Sequence, residues 1–167
     1  SEMCIRDRGM PKKSDLIHWE DIVIPSRFQT PHKQVSGQDI KKFAATFDPQ
    51  PYHLDRDAAK ASLFGGLCAS GWHICAIMMR LLSDTMEQGN IQFLGNDEIP
   101  RLKWLFPVFE DDQVQAEINF IQKSPPVDAA DFGTVEAGIQ VKNQNEKLVM
   151  ALTATLMIKA GSTHGIY

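Results

Sequence analysis

The chain has 167 residues, 43% of them hydrophobic and 23% charged, with a formal net charge of -4, enough for one compact domain with a sizeable core. Its 17 basic and 21 acidic residues are intermixed, so no basic stripe points to nucleic acid and no polybasic segment points to an anionic membrane surface. Small-molecule chemistry or protein contact is left.

The peptide SEMCIRDR at the start resembles the in-frame translation of a sequencing-adapter end. Residues 1–9 therefore read as a non-native scar, Met10 as the native start, 10–18 as a lead-in, 19–159 as one domain and 160–167 as a tail. Cys4, Cys68 and Cys75 are an odd number without Cys-x-x-Cys spacing, which argues against a disulfide framework and a zinc site. No secretory h-region is visible, and the expected compartment is a reducing cytoplasm.

The stretch VSGQDIKKFAATF has Ser36 placed as an N-cap with Asp39 three residues on, and Ile40, Phe43, Ala44 and Phe47 at helical spacing, which predicts a short amphipathic helix. Asp48-Pro49-Gln50-Pro51 ends it, because proline lacks the N–H and restrains the residue before it. Asp48 and His53 then fall on a stiff loop. Asp55 is placed to cap a second short helix, DRDAAKAS. Gly65-Gly66 breaks the chain before an apolar helix expected from about Leu67 to about Met86, apolar on nearly every side and too short on its apolar run to cross a bilayer, which takes ~20 residues. Arg101 to Phe106 reads as a short strand. Val114, Ala116, Ile118 and Phe120 alternate with polar residues, as do Val135, Ala137, Ile139 and Val141, and a hairpin turn at Asn143 to Glu146 leads into a last strand, Leu148 to Ile158. The fold class is α+β: early helices, then an antiparallel sheet wrapped around a long central helix.

Spacing alone leaves two readings of Asp48 and His53. One is a polar turn in which the carboxylate bonds the backbone and the histidine fills half-buried space. The other is an acid/base pair, since imidazole exchanges a proton near neutral pH and a neighbouring carboxylate can orient it or share a water. Gly66, at the expected helix start, is a candidate oxyanion donor, because helix N-terminal amides lack partners and glycine lets a ligand approach closely. Ser70 and His73 could in principle form a nucleophile and base, but core or pocket-lining roles fit better. Cys68 and Cys75, seven apart, read as small hydrophobes on one helix face. His53-x-Asp55 lacks the further ligands a metal site needs.

FDPQPYHLDRDAAKASLFGGLCASGWH, with the apolar helix, LKWLFPV and the alternating strands, resembles the MaoC-like dehydratases, relatives of (R)-specific enoyl-CoA hydratases, from about residue 19 to about residue 159. The resemblance implies the hotdog fold, a sheet wrapped around a long helix, and dimers whose sheets join. It implies Asp48 and His53 as the catalytic pair and Gly66 as the donor to the thioester oxygen, with Phe64, Leu67 and Ser70 binding substrate. Gln50 stands where the family's motif has Asn, and Ile74 where its hydratases place a helix serine, with Ser70 close by. The implied activity is reversible addition of water to a trans-2-enoyl-CoA, a hydro-lyase reaction of fatty acid metabolism needing no metal or redox cofactor. The alternatives are a hotdog acyl-CoA thioesterase and a non-catalytic acyl-CoA-binding module. The expected partners are an acyl-CoA substrate and a second copy of the chain, in a homodimer or higher oligomer, with no nucleic acid or membrane.

Overall fold

The computed structural model describes residues 15–161. The adapter-like residues 1–9, Met10 as a start, Cys4, His164 and most of the expected tail lie outside the described residues.

Alternation builds the sheet. Five strands run in the order β1 (Ser26–Gln29), β4 (Gln113–Ser124), β5 (Phe132–Lys142), β6 (Leu148–Lys159) and β3 (Phe93–Trp104), and the two-residue β2 (Lys33–Gln34) pairs with β4 as well. All pairings are antiparallel. Ala116, Ile118 and Phe120 on β4 lie in register with Val141, Ile139 and Ala137 on β5 and, beyond them, Met150, Leu152 and Ala154 on β6. Every one of these is buried, which gives the sheet one apolar face. The hairpin between β5 and β6 is tied by Asn143, whose side-chain oxygen accepts from the amides of Asn145 and Lys147.

Four helices follow the early strands: α1 (Gly37–Phe47), α2 (Pro51–Leu54), α3 (Arg56–Ala61) and α4 (Gly71–Gln88). The caps of α1 and α3 form where the sequence placed them. Ser36 accepts from the Asp39 amide and Asp55 from the Asp57 amide. The long helix α4 lays Ile74, Met78, Leu81, Leu82 and Met86 into the same core as the sheet. This is the hotdog arrangement, and the fold class stands as α+β. No helix among the described residues is long and apolar enough to cross a membrane.

Four expectations are corrected. The long helix starts at Gly71, not near Leu67, because residues 67–70 are extended and pair with the chain after β3. The Ala69 amide bonds the Val108 carbonyl at 2.8 Å, and the Leu67 carbonyl accepts from Glu110 at 3.1 Å. Those groups are therefore unavailable to a helix. Cys68 and Cys75 consequently do not share a helix face. Nor is α4 buried all round: Trp72, Ala76 and Arg80, spaced four apart, form an exposed stripe. The strand read as 101–106 runs from Phe93 to Trp104. Pro100 is tolerated because β3 is the sheet edge, and three register shifts accommodate the irregular stretch around Gly95.

Candidate active site

The turn after α1 is shaped by its prolines. Asp48 is the C-cap of α1, and its amide bonds the Ala44 carbonyl at 2.9 Å. Pro51 occupies the first position of α2, where the missing N–H costs nothing, so the segment expected as a loop closes into one helical turn with His53 on it. That turn carries the His53 side chain inward to 6% exposure. Tyr52 meets its ring edge-on at 4.5 Å.

The protonation of His53 follows from its neighbours. Nδ1 lies 2.6 Å from the carbonyl oxygen of Cys68, which can only accept, so Nδ1 carries a proton and donates it. In the neutral ring the Nε2 lone pair is then free. It faces Oδ2 of Asp48 at 3.5 Å. That same oxygen accepts from the Ser70 hydroxyl at 2.7 Å. Ser70 is fully buried and is also the N-cap of α4, its oxygen accepting from the Trp72 amide at 3.3 Å. One serine thus ties the carboxylate to the start of the long helix. The Cys68 thiol lies 3.9 Å from His53 Nδ1, and burial pushes its pKa up to about 11.

Asp48, His53 and Cys68 border a cavity of about 420 Å³. Asp48, His53, Tyr52 and Cys68 supply its polar side; Phe64, Ile74, Phe106, Val108 and Val149 form apolar walls; Trp72 and Trp104 stand at its exposed end. Among the described residues, no Lys or Arg lines it. Gly71, the first residue of α4, also lines it, so the positive end of the helix dipole lies at the cavity. Nearby, Arg56 and Glu110 form a forked ion pair with contacts of 2.8 and 3.1 Å, joining α3 to the chain after β3. The hydrogen bonds with Arg56 hold the Glu110 carboxyl below its ordinary value.

Of the residues singled out from sequence, Asp48, His53, Ser70 and Phe64 come together here. Gly66 and Leu67 do not. Gly66 precedes an extended segment and sits against the Phe109 ring, while Leu67 is 3% exposed in the core. Ser70 and His73 form no nucleophile and base: Ser70 is bonded to Asp48, and the His73 ring stacks on Phe43 at 4.7 Å with its buried Nδ1 unpartnered. Burial, the largest influence, lowers the His73 pKa. Gly71 and Tyr52 were not singled out in the sequence, and Cys68, read there as a small hydrophobe on a helix face, lines the cavity. The signal for Gly71 was present, because Ser70-Gly71 ahead of an apolar run is an N-cap pattern.

Comparison with known proteins places residues 24–143 within the family described as the MaoC like domain. The uncharacterized protein YdeM of Bacillus subtilis is 30% identical over 145 residues, covering 84% of this chain and 97% of YdeM. A crystal structure of the MaoC-like dehydratase from Rhodospirillum rubrum is 35% identical with a TM-score of 0.78, over 87% of this chain and 99% of that one. The unliganded R-hydratase PhaJ1 from Pseudomonas aeruginosa shares the fold at 19% identity and a TM-score of 0.68, over 91% and 94% of the two chains.

Proposed function

The chain belongs to the MaoC-like domain family, and from that premise we propose that it is a hydro-lyase that adds water to the double bond of a trans-2-enoyl thioester, or removes it from the 3-hydroxyacyl product. The observation that carries this reading is the pair His53 Nε2 and Asp48 Oδ2, 3.5 Å apart, bordering an otherwise apolar cavity that reaches the start of α4. Nε2 and the carboxylate are both acceptors, so a water donating to them is held with its oxygen toward the cavity. His53 takes a proton as that oxygen bonds the β-carbon, and the pair returns a proton to the α-carbon, so one water is added in all. The negative charge developing on the thioester oxygen meets the Gly71 amide. Gly71 takes the role first expected of Gly66, because the helix begins there. The cationless lining suits an apolar acyl group carried on coenzyme A, not one ending in a carboxylate.

The partner expected from the resemblance is a second copy docking along β3. That edge strand and the chain just after it expose Leu94, Ile99, Trp104 and Leu105, and an open edge flanked by apolar groups invites pairing.

The reading is tested by following crotonyl-CoA and butyryl-CoA together. Loss of enoyl absorbance without free thiol is the expected result, and Asp48→Asn and His53→Ala each lower that rate at least ~100-fold, in keeping with loss of general acid/base catalysis. Thiol released from butyryl-CoA would instead identify a thioesterase. Binding without turnover would leave an acyl-CoA-binding module.

A further inference from the structure

Resting on the hydration reading above, we propose that Trp104 is a positioning residue that holds the first amide of α4 in line with the thioester oxygen. Trp104 ends β3 at the exposed end of the cavity. Its indole Nε1–H donates to the carbonyl of Gly71 at 2.9 Å. The contact is close enough that a Cβ on Gly71 would lie 2.7 Å from the indole ring, so glycine at this position and tryptophan at 104 fit each other.

The amide argued to meet the thioester oxygen belongs to this same glycine. Glycine has the softest backbone of any residue, and the first turn of a helix has no preceding turn to hold it. Both flanks of the Gly71 amide are nevertheless fixed. On one side Ser70 is bound to Asp48 at 2.7 Å. On the other, the Gly71 carbonyl is bound by Trp104. Trp72 packs edge-on against Trp104 with ring centres 5.0 Å apart, bracing the indole from the helix side. The sheet edge thereby sets the direction of a donor on the helix, and a donor aimed before the reaction stabilises developing charge without reorganising. A wall residue would set only how tightly substrate binds. A positioning residue acts on the chemical step, because the charge it helps to stabilise develops only there.

Trp104→Phe keeps a ring at this place and removes the N–H. The expected result with crotonyl-CoA is a fall in kcat of about 5- to 10-fold, the size of one lost hydrogen bond, with KM changed less than about twofold. A second readout needs no turnover. In the Asp48→Asn background, the carbonyl carbon-13 signal of bound [1-13C]crotonyl-CoA moves back toward its free position when Trp104 becomes Phe. If Trp104→Phe does not fold, replacing Trp104 by benzothienylalanine, which exchanges the N–H for sulfur within the same ring shape, gives the same comparison. An unchanged kcat, a change in KM alone, or an unmoved carbonyl signal overturns the proposal. An Asp48→Asn protein that still hydrates crotonyl-CoA at the full rate counts instead against the hydration reading, whatever Trp104 does.

Discussion

Ser70 joins what the sequence kept apart. Its hydroxyl donates to Asp48 Oδ2, and its oxygen caps α4. Removing it acts on both the carboxylate and the helix end. Ser70→Ala leaves Asp48 charged but without its bond, a loss of ~1.5–3 kcal/mol for a hydrogen bond to a charged group. Steady-state hydration of crotonyl-CoA is expected to fall about tenfold or more in kcat, and the melting midpoint drops as for a lost N-cap of ~1 kcal/mol. An unchanged kcat with a lowered melting point would reduce Ser70 to a cap. The residue types of the site were legible at this scale, since Asp48, His53 and Ser70 were all singled out, but their partners were not. That the Cys68 carbonyl fixes the His53 proton, and that Ser70 turns toward Asp48 and not His73, depends on side-chain directions that spacing does not encode.

Among the elements, those governed by local rules read correctly from sequence. The N-caps Ser36 and Asp55 and the alternating strands β4, β5 and β6 follow from side chains interacting with backbone a few residues away, or from a period of two. Asp55 was weighed as a metal ligand beside His53 and is found capping α3 through the Asp57 amide at 2.9 Å. Asp55→Ala is therefore expected to cost ~1 kcal/mol, a fall of about 2–4 °C in a thermal melt for a chain of this size, with hydration retained. Loss of hydration on the scale of His53→Ala would move Asp55 into the chemistry. The elements that misread are the ones decided at a distance. Leu67 and Ala69 are good helix formers, yet their backbone is taken by the chain at 108–110. The strand read as Arg101 to Phe106 begins instead at Phe93 and runs through Pro100, a proline that the edge position tolerates.

For the whole molecule, the proposed pairing of β3 edges predicts a dimer of the 18.7 kDa chain. Light scattering behind gel filtration is expected to give twice the chain mass. Ile99→Arg, which places a charge on an exposed position of that edge, is expected to give the mass of one chain. A wild-type chain that is monomeric at micromolar concentration would remove the pairing from the reading. Composition and hydrophobic period were enough to reach the α+β class, the strand faces and the proline-bounded end of α1 at Asp48, because burial periodicity and proline geometry are properties of short segments. Only the tertiary structure decided where α4 begins, and with it that Gly71 and not Gly66 stands at the cavity. A helix starts where its amides cease to have other partners, and here those partners are supplied by chain that follows the next strand.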